Sequence, residues 1–166
     1  MTPTFLKVTD TDHISRVAQA AHEIWNEHFP KVISQAQIDY MVERFQSEVA
    51  LLQQIQDGMQ YYLIVVGEKD AGYYAIQPQN EGRLFLSKLY IRQAYRGQGL
   101  ARATLADIEH RGRNMNRQTL WLTCNRRNTE PIAVYEHLGF KTVDTVIMDI
   151  GEGFVMDDYR MEKDIT

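Results

Sequence analysis

Two glycines between an apolar segment and a helical segment could form a binding site for an anion. Gly97 and Gly99 follow the apolar segment Leu84–Ile91, and the residue spacing typical of a helix begins directly after them. The N–H groups in the first turn of a helix lack partners within the helix, and the helix dipole adds partial positive charge there. Because glycine has no Cβ, an anion can approach the main chain closely. The pattern predicts an anion site, such as a phosphate site, at this corner.

Two common phosphate-binding motifs do not fit this corner. A P-loop requires a Lys-Ser or Lys-Thr pair after its glycines, and none follows here. A dinucleotide-binding fingerprint requires a third glycine where Arg102 stands. The corner instead spans Arg96–Ala101, which reads RGQGLA and has the form [QR]-x-x-G-x-[GA]. A nucleotide is therefore not the favoured ligand, and a glycine-rich corner without any ligand is the alternative.

A second motif follows about thirty residues later. The segment Asn128–Phe140 reads NTEPIAVYEHLGF, with a tyrosine, Tyr135, at its centre. With both segments in place, the chain resembles the GNAT superfamily of acetyl-CoA-dependent N-acetyltransferases, whose late motif is N-x-x-A-x-x-x-Y-x-x-(L/M)-G-F. Pro131 stands where the family motif has alanine. The specific resemblance covers Leu84–Phe140, and the closing strand is weakly similar to the polyamine acetyltransferase branch.

The resemblance implies a cofactor site at the glycine corner. The backbone amides from Gly97 to Arg102 would bind the pyrophosphate of CoA, and the pantetheine arm would lie along Leu89–Ile91 like an added strand. The residues assigned to acetyl-CoA are Leu89, Tyr90, Ile91, Arg96, Gly97, Gln98, Gly99, Leu100, Ala101, Arg102 and Asn128. No metal is expected, because the five histidines show no metal-ligand spacing with Cys124.

The same resemblance places Tyr135 beside the thioester sulfur. Tyr135 would protonate the departing thiolate as general acid, while a backbone N–H of Leu89 or Ile91 would bind the developing oxyanion. The implied function is transfer of an acetyl group from acetyl-CoA to a primary amine, by direct attack in a ternary complex. A small-molecule amine, such as a polyamine, is the favoured acceptor. Acetylation of a protein N-terminus or lysine, and acyl-CoA binding without turnover, are the alternatives.

The sequence leaves the general base open. Some members of the family have a glutamate on the central strand or on the next strand, where this chain has Ser87 and Thr123. Either residue holding a water, or an amine that arrives deprotonated, would supply a route for the proton. Spacing supports no role for the remaining carboxylates considered, which are Glu23, Glu27 and Glu81.

The elements that must position these residues alternate between helices and strands. Aromatic and β-branched content predicts strands at Phe5–Val8, Tyr61–Val66, Tyr73–Ile76, Leu84–Ile91, Leu120–Cys124, Phe140–Ile150 and Phe154–Lys163. Helical spacing predicts one helix through Ile14 and Trp25, a second from Ser34 to Gly58, a third after the glycine corner and a fourth near Pro131 that ends before Gly139.

This order predicts the fold class α/β (α+β) for one domain over residues 1–166. The resemblance makes the fold more specific. It implies a GNAT fold with a mixed, mostly antiparallel central sheet of about seven strands, about four flanking helices and splayed central strands.

The composition of the chain limits the binding partners and the cellular compartment that we expect for the protein. A net charge of −4 argues against nucleic acid, and no apolar run approaches the roughly 20 residues that a membrane-spanning helix needs. The N-terminal residues lack the pattern of a signal peptide. The single cysteine cannot form an internal disulfide, which favours the cytoplasm. Homodimers are common in the family that the chain resembles, although no segment of this chain specifies an interface.

Overall fold

The computed structural model describes residues 2–166, and this part of the chain forms seven strands and five α-helices. The strands are β1 (Thr4–Lys7), β2 (Gln60–Val66), β3 (Lys69–Pro78), β4 (Arg83–Ile91), β5 (Thr119–Asn125), β6 (Lys141–Gly151) and β7 (Phe154–Asp164). The helices are α1 (Thr11–His28), α2 (Gln35–Gln46), α3 (Glu48–Gln56), α4 (Leu100–Asn114) and α5 (Thr129–His137). Single 3-10 turns occur at Phe29–Lys31 and Gln93–Tyr95.

The seven strands form one mixed sheet in the order β1-β2-β3-β4-β5-β7-β6. The pairs β1–β2, β2–β3, β5–β7 and β6–β7 are antiparallel, whereas β4 and β5 are parallel. The described pairing of β4 with β5 covers only Arg83–Phe85 and Thr119–Trp121, so Leu86 and Ser87 already lie beyond it. The predicted fold class, the mostly antiparallel sheet and the splayed central strands are confirmed.

The second predicted helix is in fact two helices. Ser47 adopts an extended backbone conformation, with φ −71° and ψ 160°, and this ends α2. Its hydroxyl then accepts a hydrogen bond of 3.3 Å from the N–H of Ala50 and caps α3. The described residues therefore form five α-helices where the sequence predicts about four. The hydrophobic spacing continues across Ser47, so periodicity alone did not reveal the break.

The chain divides into two compact units. The first contains the described residues up to Gln77 together with Lys88–Asp107, and the second contains Pro78–Ser87 and Ile108–Thr166. The prediction of a single domain over the whole chain stays a prediction. No helix within residues 2–166 combines the length and apolarity needed to cross a membrane.

Each unit has its own buried side chains. In the first unit, α1, α2 and α3 contact one another and bury Ile24, Ile38 and Leu51. In the second unit, Leu84 and Ile165 are buried on either side of Gly112, where an added Cβ would come within 3 Å of both side chains. The packing around Gly112 joins β4, α4 and the end of the chain within the second unit.

Candidate active site

The glycine corner lies in the first unit, between β4 and α4. Gly97 and Gly99 have φ values of 76° and 78°, in the left-handed region that residues with a Cβ rarely adopt. An added Cβ at either position would have no atom within 4 Å. The corner is therefore open on its outer side, and its backbone conformation explains the choice of glycine.

The start of α4 presents backbone donors at this corner. The N–H of Ala103 makes a helical hydrogen bond of 3.1 Å to the carbonyl of Gly99, so the preceding N–H groups have no acceptor within the helix. Leu100 is buried and holds the first turn in place, whereas Arg96 and Arg102 are exposed. The partial positive charge of the helix start and the two guanidinium groups favour an anion at the corner.

The segment Leu89–Ile91 is held firmly against neighbouring residues of the first unit. The ring of Tyr90 makes edge contacts with Trp25 and Tyr73, at centroid distances of 5.6 and 5.5 Å. An added Cβ on Gly72 would lie 2.1 Å from the carbonyl oxygen of Tyr90, so the two main chains approach closely. The main chain of β4 is thus positioned before any ligand arrives. Its predicted contact with a pantetheine arm stays a prediction.

Lys88 is a buried cation directly before that segment. Its Nζ donates to Gln54 Oε1 at 2.9 Å, to the carbonyl of Phe45 at 3.5 Å and to the hydroxyl of Tyr61. Nζ also lies 4.9 Å from the centroid of the Tyr61 ring. Burial lowers the pKa of Lys88 to about 7. Nζ has three hydrogen-bond partners, so Lys88 connects β4 to the helical part of the first unit.

The late motif lies in the second unit, on β5 and α5. Asn128 precedes α5 and is buried, and its Nδ2 lies 3.9 Å from the sulfur of Cys124. Tyr135 makes an edge contact with Phe140 at a centroid distance of 5.4 Å. Burial raises the pKa of Tyr135, and the nearby thiol of Cys124 raises it further. Tyr135 therefore keeps its proton throughout the neutral pH range.

Asp158 on β7 is a site candidate that the sequence reasoning missed. Its side chain is 3% exposed, and its Oδ1 has no hydrogen-bond partner among the described residues. Burial raises the pKa of Asp158 to about 6, although a hydrogen bond with the Thr123 side chain lowers it and the charge of Asp157 raises it. A buried carboxylate without compensation for one oxygen is costly and is common at functional sites.

The register of β5 with β7 brings Asp158 next to the end of β5. Asp158 lies opposite Asn125, so both side chains point to the same face of the sheet as Thr123. Cys124 points to the other face, toward Asn128. The only signal in the sequence was an acidic pair, Asp157-Asp158, inside a strand that mixes apolar and charged residues. The pairing partner that buries one of the two is not a local property.

The other candidates for a general base have simpler explanations. Thr123 bonds to Asp158, and Glu23 forms an ion pair with Arg92 in the first unit. Glu81 is an exposed turn residue with φ 60°. Within residues 2–166 no three His, Cys, Asp or Glu side chains are grouped closely enough to hold a metal ion.

The predicted site residues thus fall into two sets. The cofactor residues on β4 and α4 all belong to the first unit, whereas Asn128 and Tyr135 belong to the second. Within the first unit the structure brings the end of β4 and the start of α4 together at the glycine corner, and within the second it brings Asn128 to Cys124. The individual roles assigned to these residues stay predictions.

Comparison with known proteins identifies structural relatives of this chain. A family model described as the acetyltransferase (GNAT) family matches residues 18–140. The structure of PaiA N-acetyltransferase from Thermoplasma acidophilum in complex with coenzyme A aligns over 99% of both chains, with a TM-score of 0.83 and 19% identity. No curated protein sequence matches this chain.

Two further solved structures show the same fold at similarly low identity. The ribosomal-protein-S18-alanine N-acetyltransferase from Escherichia coli has a TM-score of 0.73 and 18% identity, over 99% of this chain and 95% of that one. An acetyltransferase from Thermus thermophilus has a TM-score of 0.71 and 17% identity, over 99% of this chain and 97% of that one.

Proposed function

Because this chain belongs to the acetyltransferase (GNAT) family, we propose that it transfers an acetyl group from acetyl-CoA to a primary amine. A small-molecule amine is the favoured acceptor. The amine attacks the thioester directly while both substrates are bound. The unpaired, buried Cys124 suits a reducing compartment, and we place the enzyme in the cytoplasm.

The observation that carries this proposal is the open glycine corner at the start of α4. Gly97 and Gly99 leave space where side chains would otherwise stand, and the first turn of α4 supplies N–H donors. A pyrophosphate fits this chemistry, because it needs several donors and a positive potential at close range. The related PaiA structure was solved with coenzyme A bound, which supports the same assignment here.

Tyr135 is the proposed general acid. Acetyl transfer breaks the C–S bond, and the sulfur that departs needs a proton. The raised pKa keeps the hydroxyl proton on Tyr135 until the bond breaks, but it also makes Tyr135 a weaker acid. A thiolate beside Tyr135 would also be shielded from water, which raises the pKa of the thiol and limits the energetic cost of the transfer.

The acceptor class can be tested by measuring thiol release from acetyl-CoA. The full chain is assayed against polyamines, amino acids, aminoglycosides and peptides with free N-termini or lysines. We expect release with a small primary amine at least tenfold faster than with any peptide. Faster release with peptides would favour protein acetylation, and tight CoA binding without any release would identify a non-catalytic acyl-CoA-binding protein.

The variant Tyr135→Phe tests the general acid. We expect its turnover number to fall by about 100-fold, which is the usual size of such a contribution. Acetyl-CoA binding, measured by calorimetry, should change less than threefold, because the ring and its contact with Phe140 remain. Near-normal turnover would remove Tyr135 from the mechanism.

A further inference from the structure

We propose that Asp158 is the general base of the reaction, and that its free carboxylate oxygen receives the proton of the acceptor amine. The proposal rests on the proposed function, because it assigns a proton acceptor to the same acetyl transfer. It supplies the group that the sequence left open. It also predicts the chemistry of the acceptor, which is an amine that arrives as an ammonium ion.

The first argument is the state of the carboxylate. Asp158 is 3% exposed, yet Oδ1 has no partner among residues 2–166. The large majority of buried polar side-chain atoms have a hydrogen-bond partner, because an unmet one destabilises the fold. The side chain of Thr123 bonds to this carboxyl group and orients it. One oxygen is therefore held in place and one is left for a ligand.

The second argument is the position of Asp158 relative to the late motif. Cys124 on β5 is electrostatically coupled to both groups, because its thiol raises the pKa of Tyr135 and the charge of Asp158 raises that of Cys124. Asp158 and Thr123 share one face of the β5–β7 pair, whereas Cys124 and Asn128 are on the other. Asp158 therefore lies next to the end of β5 on one face of the sheet, while the late motif begins at Asn128 on the other face.

The cations that the structure describes near Asp158 pair with other carboxylates, but the Nε of Arg160, two residues away on the same strand face, is buried without a partner among the described residues. On β7, Asp157 pairs with Arg126, and Arg160 pairs with Glu162 at 3.4 Å. On β6 the residue opposite Asp158 is Val146, and Asp144 lies opposite Arg160. On β5 the titratable group that senses the charge of Asp158 is the Cys124 thiol. Among the described residues Asp158 has no ion-pair partner, and in the proposed reaction the ammonium group of the acceptor takes that place.

The proton balance of the reaction is complete with these residues. Asp158 takes one proton from the ammonium ion, and the freed nitrogen lone pair attacks the thioester carbonyl carbon to form the C–N bond. The C–S bonding pair goes to the sulfur, which receives the hydroxyl proton of Tyr135. The second nitrogen proton returns to Tyr135 through solvent, and Asp158 releases its proton to solvent. The sum is ammonium plus acetyl thioester giving amide, free thiol and one proton.

The test compares Asp158→Asn with the matched control Asp157→Asn across pH and across amines. At pH 7.5 we expect kcat/KM of Asp158→Asn to fall by about 100-fold with a strongly basic amine. The deficit should shrink below tenfold at pH 10, where the neutral fraction of that amine is roughly 200 times larger than at pH 7.5. It should shrink equally with trifluoroethylamine, which is neutral at pH 7.5. Asp157→Asn should stay within threefold of the wild type throughout.

The outcomes separate this inference from the proposed function. If the wild type turns over and Asp158→Asn shows the same deficit with every amine and at every pH, Asp158 is structural and the inference is overturned. A rise in KM with unchanged kcat would likewise overturn it, because the carboxylate would then only bind the amine. If the wild type releases no thiol with any amine, the proposed function itself fails, and the role of Asp158 fails with it.

Discussion

Lys88 and Asp158 are both buried ionisable groups with shifted pKa values, but their surroundings differ. The ammonium of Lys88 has three hydrogen-bond partners in the first unit, including Gln54 and Tyr61. The carboxylate of Asp158 in the second unit leaves one oxygen without a partner among the described residues. Burial alone shifts the pKa of either group. This difference in hydrogen bonding, and not the size of a shift, is the reason that we propose a role in the reaction for Asp158 and a structural one for Lys88.

The largest expected effect is the contribution of Lys88 to the way the free energy of unfolding depends on pH. The folded-state pKa is about 7, below its ordinary value of 10.5, so between these values the unfolded chain holds a proton that the folded chain has lost. The free energy of unfolding should therefore rise with pH from about 7 to about 10. In Lys88→Met this rise should be smaller by the order of 3 kcal/mol, because methionine does not titrate.

Urea unfolding of both proteins at pH 7 and pH 9.5 measures this difference. Activity at pH 7.5 should remain within threefold, since Gln54 still accepts the hydroxyl of Tyr61, at 2.5 Å, after the ammonium is removed. A loss of activity comparable with that of Asp158→Asn would contradict a purely structural role for Lys88 and would give it a role in the reaction.

The next effect is a gain of stability in Asp158→Asn. The folded-state pKa of about 6 lies above the ordinary 3.8, so between these values the folded chain holds a proton that the unfolded chain has lost. The free energy of unfolding of the wild type should therefore fall as pH rises from about 4 to about 6. Asparagine does not ionise, so the variant should be more stable by about 2 kcal/mol at pH 7.5 and equal at pH 4.

The expected gain of stability in Asp158→Asn accompanies the expected loss of its activity. A residue that weakens the fold and is needed for turnover is the usual signature of a functional site. Thermal or urea unfolding at both pH values provides the measurement, and Asp157→Asn is again the control. A variant that is less stable at pH 7.5 and fully active would show that Asp158 serves the fold.

The parts of this site that the sequence predicts are local. The glycine corner and the late motif each occupy a short segment, and residue types at fixed spacing define them. The strand bounds differ by only a few residues from the predictions, because aromatic and β-branched content is also a local signal. The family resemblance was carried by these same segments.

The parts that escaped prediction depend on pairing between distant segments. Asp158 becomes buried because β7 pairs with β5, more than thirty residues earlier in the chain. Lys88 becomes buried because Gln54 and Tyr61 meet its ammonium. Nothing in the residues next to either position specifies these partners. The break at Ser47 was a local signal, since serine favours helix N-caps, but the continuous hydrophobic spacing obscured it.

The smallest expected effect concerns Cys124, the buried neighbour of Asp158. Burial, together with the charge of Asp158, raises the pKa of this thiol to about 12, so almost no thiolate exists at neutral pH. Cys124→Ala should lower the free energy of unfolding by about 1 kcal/mol and change turnover less than threefold. Iodoacetamide at pH 7.5 should leave the wild type active, because the alkylation needs a thiolate. Rapid inactivation would mean that the thiol is reactive at neutral pH, and a loss of turnover in Cys124→Ala would give it a part in acetyl transfer. Unchanged activity would show that the thiol takes no part in the transfer, although its charge state is linked to Asp158 and Tyr135.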